Sequence, residues 1–212
     1  MKQVIIYTGA YLVVFLLLFF SCKHKTDAGT KESSQGPVVN NSSPTVSKSQ
    51  SATPWVIDAT ASKVEFTIKN FGMDVKGSFG GLKGSIFFDN KNLKGSSLEG
   101  AVDANTISTG IAKRDEDLKG KKYFDTEKNI QIIFRSDSII PVGTDYKAVG
   151  TLTIKGTSQH RDIPFTFEQN GDKGVFKSQF TVKRHDFDIG GSGPIMGDDA
   201  NVSLNIVVVK KK

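Results

Sequence analysis

GTLTIKGTSQHRDIPFTF, residues 150–167, is the stretch from which the fold can be read. Leu152 and Ile154 alternate with Thr151, Thr153 and Lys155. Beyond a polar turn at 156–159, Ile163, Phe165 and Phe167 alternate with Asp162, Pro164 and Thr166. A period of two puts successive side chains on opposite faces, so the stretch predicts a β-hairpin with one dry and one wet face. A slip of one residue would turn every apolar side chain to water, which fixes the register of such a sheet.

The same alternation recurs along the chain. It places Val64, Phe66 and Ile68 together in KVEFTIKN, then Phe79 in a short strand at 77–79, then Leu82, Gly84, Ile86 and Phe88 in LKGSIFF. Leu98, Gly100, Val102 and Ala104 follow, then Ile132 and Phe134, then Phe176, Ser178, Phe180 and Val182, and finally Val202, Leu204, Ile206 and Val208. About eight antiparallel strands at short intervals predict an all-β fold, and closing them into an eight-stranded barrel removes the exposed edges an open sheet would leave. One segment departs from the pattern. IAKRDEDLKGKKYFDTEKN, residues 111–129, has no alternation and is rich in helix formers, with Leu118, Tyr123 and Phe124 as its apolar contacts; it predicts one or two short helices capping a barrel end.

Gly84, Gly100 and Gly150 share the parity of the buried positions, and two readings stand: sharp bending of the sheet, or volume left inside the barrel. An eight-stranded barrel is wide enough for one small ligand. A wall built from Phe66, Ile68, Phe79, Ile86, Phe88, Val102, Phe124, Ile132, Phe134, Leu152, Ile154, Phe165, Phe180 and Leu204 would select a long apolar one. The alternative is a barrel filled by its own side chains, a scaffold of the cell envelope whose loops bind other proteins.

The ends of the 212-residue chain differ from its middle. Lys2, an apolar run over 4–20, and Ser21 before Cys22 have the order of a secretory signal, giving a leader at 1–21. The run is at the short limit for a spanning helix, the competing reading. Residues 22–54 are polar and serine-rich, a disordered tether with a typical span of roughly 30 Å, and 55–212 form one domain. The formal charge of +6 resides in Lys2, the tether and Lys210, Lys211 and Lys212, leaving the body balanced, so there is no cationic field for nucleic acid.

Reactive constellations are weak. Asp115, Asp117 and Gly120 match three positions of a calcium loop, but Lys119 and Thr126 occupy positions that need oxygen ligands. His24, His160 and His185 are not at ligand spacing from one another, GGSG at 190–193 lacks dinucleotide spacing, and no serine sits in a nucleophile elbow. No catalytic residue, metal or enzymatic activity is expected. The glycine-rich stretch at 190–197 reads as a flexible loop at a barrel mouth.

Two resemblances add to this. Phe19-Phe20-Ser21-Cys22 resembles a bacterial lipobox lacking its usual leucine, which implies acylation of Cys22 and a lipid anchor; the competing reading is an isolated free thiol, since Cys22 is the only cysteine. Within the domain, Trp55-Val56-Ile57-Asp58 with Ser62-Lys63-Val64-Glu65-Phe66, Arg114-Asp115 to Leu118 with Tyr123-Phe124-Asp125, Ile132-Ile133-Phe134-Arg135-Ser136, the 150–156 segment and Arg184-His185-Asp186-Phe187 together resemble the YceI-like family of lipocalin-like bacterial proteins. That resemblance implies a lipocalin-like barrel that holds a polyisoprenoid, an isoprenoid quinone or a similar long-chain lipid, facing the periplasm. With the anchor, it implies a membrane-tethered lipoprotein; a homodimer is among the expected partners. Asp117 stands where the family often has histidine, Ile130 where it has proline, and Asp188 where it has glycine. Arg114, Asp115 and Arg184 are the polar positions of interest. They either orient a ligand head group, or the arginines pair with carboxylates and pin the cap to the barrel.

Overall fold

The computed structural model describes residues 52–212; the expected leader at 1–21, the expected lipidation site Cys22 and the expected tether as far as residue 51 lie outside the described residues. The strands are β1 (Pro54–Ile57), β2 (Lys63–Asn70), β3 (Met73–Phe87), β4 (Ser97–Ser108), β5 (Gln131–Val142), β6 (Asp145–Ile154), β7 (Thr157–Asn170), β8 (Lys173–Lys183) and β9 (Met196–Lys210). Helix α1 (Ala112–Lys119) joins β4 to β5, and a 3₁₀ turn (Arg184–Phe187) follows β8. Each strand pairs antiparallel with its neighbours in the order β3-β2-β9-β8-β7-β6-β5-β4, and β4 pairs with β3 to close the circle. Strands β1 and β2 both pair with β3 and β9, so they are two pieces of one strand position. The result is the expected closed eight-stranded barrel.

The break between β1 and β2 is held locally. Asp58 accepts bonds from the Thr60 hydroxyl (2.7 Å) and the Thr60 and Ala61 amides, while Ser62 Oγ accepts the Val207 amide at 2.9 Å and donates to the Asp58 carbonyl. The Thr60 hydroxyl, with the Ala61 amide, holds the Asp58 carboxyl below its ordinary pKa.

Several boundaries differ from the sequence expectation. The β6–β7 hairpin turns at Lys155-Gly156, both at positive φ, so Thr157, Ser158 and Gln159 are strand residues opposite Ile154, Thr153 and Leu152. A two-residue turn of that hand matches the strand twist, and strand pairing overrides the polar composition that reads as a loop. The segments at 77–79 and 82–87 are one strand, bulged between Gly80 and Lys83, and Phe88 lies just past its end. That bulge lets both Phe79 and Ile86, an odd number of residues apart, face inward. The capping segment forms a single helix and then turns, and the second helical piece lies instead at Arg184–Phe187. Residues 52–54 already belong to the body. Ala52 is buried, the Thr53 carbonyl accepts the Phe88 amide at 2.8 Å, and the Pro54 carbonyl accepts the Lys211 amide at 3.0 Å. Backbone pairing of this kind leaves little trace in composition.

The three inward glycines resolve into two kinds. A Cβ on Gly84 would lie 2.0 Å from the Glu99 carbonyl oxygen, and one on Gly150 would lie 2.1 Å from that of Arg135, so these two permit close strand approach. A Cβ on Gly100 would meet nothing within 4 Å, so this one leaves volume.

The interior is divided along its axis. At the end where β1 starts and β9 finishes, Trp55, Phe88, Tyr146, Phe165, Phe167 and Phe176 form a solid aromatic floor, with ring centroids 4.5 to 5.7 Å apart. Phe88 is at its centre, 1% exposed, in contact with four other rings, and its carbonyl accepts the Trp55 indole N–H at 2.9 Å. Each such pair contributes about 0.5–1.5 kcal/mol beyond burial. At the other end the ring contacts run in a line, Phe66 to Phe79 to Phe124 at 5.5 Å each, instead of converging on one centre, and α1, Tyr123, Phe124 and the 190–195 loop surround an opening.

Candidate functional site

Above the floor the barrel is hollow, with a cavity of about 290 Å³ lined almost wholly by carbon. The inward side chains of Phe66, Ile68, Phe79, Phe124, Ile132, Phe134, Phe180, Val202 and Leu204 are only half-buried although they face the axis, because each has one side on the hollow. Voids of this kind are costly. At about 24 cal/mol per Å³, a closed cavity of this size would cost on the order of 7 kcal/mol, comparable to the whole stability of a domain. A chain that could fill the space with larger side chains, and fills the floor that way, keeps the upper half open.

Thirteen of the fourteen predicted wall positions line this cavity: Phe66, Ile68, Phe79, Ile86, Val102, Phe124, Ile132, Phe134, Leu152, Ile154, Phe165, Phe180 and Leu204. Phe88 does not. It is the centre of the floor, because rings from β6, β7 and β8 converge on it, a meeting no local pattern announces. Val64, Leu82, Val182 and Val202 also line the cavity, and their inward parity was the available signal. Ile189 and Met196 were not legible, since one precedes the loop and the other opens β9 within a glycine-rich stretch that has no period.

The polar groups gather at the mouth. Arg114, half-buried at the start of α1, lines the cavity and donates from Nε to Thr109 Oγ1 (2.7 Å) and from one Nη to the Thr109 carbonyl (2.9 Å). Asp115 accepts the Thr109 amide at 2.8 Å and the Thr109 hydroxyl, so the carboxylate orients the threonine that orients the arginine. Arg184, 3% exposed, also lines the cavity, but its guanidinium is spent on four backbone carbonyls, those of Gly197 (2.9 Å), Ile189 (2.8 Å), Gly191 (3.0 Å) and Met196 (3.1 Å). The expected arginine–carboxylate pairs are therefore absent at both positions among the described residues. Carbonyl dipoles satisfy the fixed N–H fork of Arg184 equally well and tie the 189–197 loop to the end of β8. His185 pairs with Asp198 at 2.9 Å.

Asp188, which ends the 3₁₀ turn, has φ 53° and ψ 34°. This left-handed conformation is the physical reason that a glycine would suit the position. Asp188→Gly is expected to raise stability by about 0.5 kcal/mol, the relief of the left-handed strain less the extra chain entropy of glycine, measured by urea unfolding. Asp117 is exposed on α1 and does not line the cavity, and Ile130 is exposed before β5.

Comparison with known proteins places these features in company. A family model for the YceI-like domain matches residues 55–208. A UPF0312 protein of Yersinia pestis (strain Pestoides F) is 30% identical over 137 residues, covering 59% of this chain and 69% of that one. The crystal structure of Burkholderia cenocepacia BcnA is similar with a TM-score of 0.67 at 28% identity, covering 71% of this chain and 98% of that one. A polyisoprenoid binding domain from Saccharophagus degradans, implicated in plant cell wall breakdown, shares the fold with a TM-score of 0.60 at 15% identity, covering 74% of this chain and 98% of that one.

Proposed function

Because the chain belongs to the YceI-like family, we propose that it is a lipid carrier of the bacterial cell envelope, holding a polyisoprenoid, an isoprenoid quinone or a similar long-chain lipid in the upper half of its barrel. The observation that carries this reading is the hollow itself: an apolar cavity, open at one end, walled by half-buried phenylalanines above an aromatic floor. Withdrawing a hydrocarbon tail from water supplies affinity at roughly 0.8 kcal/mol per methylene. Arg114 has unspent N–H groups at the mouth and is the residue we assign to a carbonyl or phosphate head group; Arg184, its donors spent on carbonyls, shapes the rim. The role is binding for transport, storage or sequestration, without turnover. The lipobox-like Cys22 supports a membrane-tethered lipoprotein, facing the periplasm.

Native mass spectrometry of the protein purified from its own host tests this. A co-purifying lipid whose mass fits a long-chain isoprenoid is the expected result. Repeated recovery of lipid-free protein that also fails to take up a fatty-acid probe would reject the carrier reading.

A further inference from the structure

The mouth of the hollow is surrounded by side chains that the barrel leaves uncovered. Phe71 and Met73 are each 69% exposed at the tip of the β2–β3 hairpin, and Ile195 is 52% exposed in the loop before β9. The Phe71 amide donates to the Ile195 carbonyl at 2.8 Å, so the two segments form one patch. The hairpin turns at Phe71-Gly72 with φ of 51° and 75°. Such turns favour Asn-Gly, and a bulky side chain rarely accepts the left-handed conformation. An exposed aromatic ring in a disfavoured backbone conformation gains nothing from the chain itself. The patch is continuous with the cavity, because Asn70 and Met196, each next to it in sequence and paired with one another, both line the hollow.

Charge and chain direction narrow the occupant. At this end the Asp74 carboxylate beside Met73 is paired with Lys69 at 2.8 Å, while Lys76, Lys121 and Lys122 are exposed with no carboxylate in ion-pair range among the described residues, and the Lys122 carbonyl accepts the Gly190 amide at 2.8 Å, beside the 190–195 loop. The first and last strands of the barrel meet at the floor, where the Lys211 amide donates to the Pro54 carbonyl, at the end opposite the mouth. Three apolar side chains are far short of the roughly 800 Å² per partner that a stable protein interface buries. Apolar side chains flanked by lysine are, however, sufficient for shallow insertion into an anionic lipid surface.

We infer that this rim is a bilayer-docking surface: Phe71, Met73 and Ile195 enter the lipid and set the mouth against it, so that a tail passes between membrane and cavity without crossing water. The inference rests on the lipid-carrier reading. In the full chain, Phe71→Trp reports contact directly when mixed with vesicles of phosphatidylcholine and phosphatidylglycerol bearing brominated acyl chains. The native Trp55, buried in the floor, is the internal reference. Loss of emission from the variant beyond that of the unsubstituted chain is expected; equal emission overturns docking. Replacing Phe71, Met73 and Ile195 together by serine should slow transfer of dansylamino-undecanoic acid from vesicles about ten-fold, as expected from removing apolar contact, with unchanged affinity for the same probe in solution. Unchanged transfer, or a dimer that the serine variant dissociates, overturns it. Failure of the dissolved probe to bind the unsubstituted chain would instead reject the carrier reading, while the bromolipid result still decides docking.

Discussion

Gly100→Leu is expected to lower affinity for a long-chain ligand about a hundred-fold while leaving the barrel as stable as before or more so. Gly100 is the fourth residue of β4, paired with Gly84 on one side and Phe134 on the other, and a Cβ there points into open space. Four added carbons occupy room that about four ligand methylenes would use, a loss near 3 kcal/mol at 0.8 kcal/mol each, or roughly a hundred-fold in Kd. Replacing a strand glycine also removes about 0.5–1 kcal/mol of backbone entropy cost. A fluorescence titration with dansylamino-undecanoic acid and a urea melt, run together, check the opposite signs. Unaltered affinity would mean that the tail does not lie in this hollow. Gly84→Ala and Gly150→Ala are the controls. Each would push a methyl to about 2 Å from a carbonyl oxygen, so these variants lose stability.

Phe88→Ala is expected to destabilise the protein by about 3–5 kcal/mol, the range for removing a fully buried phenylalanine. Its ring contacts Tyr146, Phe165, Phe167 and Phe176, and nothing else is placed to fill the gap. The urea midpoint gives the cost. Protein that remains folded should prefer longer acyl probes than the unsubstituted chain does, because the hollow then extends through the floor; an unchanged chain-length profile would show that the floor does not set ligand length. Phe66→Ala makes the contrast. That ring is half-buried in the wall and crosses over Gly77 of β3, so its removal takes away less packing and costs less stability.

The wall of the candidate site was largely legible because strand parity is a local property: Leu152 and Ile154 declare their side of the sheet through their immediate neighbours. Parity does not say what lies opposite. Phe79 in β3 and Phe88 just past its end both point inward, yet one lines the hollow and the other is enclosed by four rings in the floor. The partners of Arg114 and Arg184 were illegible for a related reason. Residue type predicts that a guanidinium will be satisfied, but a carbonyl at the end of a loop satisfies it as well as a carboxylate does.

From the order of residues alone come the all-β class, the antiparallel barrel, the inward set of side chains and the family likeness, all of which depend on alternation and on short motifs. Only the tertiary structure decides that the lumen is half plug and half hollow, that Gly100 alone of the three inward glycines leaves room, and that Phe71, Met73 and Ile195 meet at the mouth. Filling and adjacency depend on distances across the barrel between strands remote in sequence, and a one-dimensional period contains no such distances.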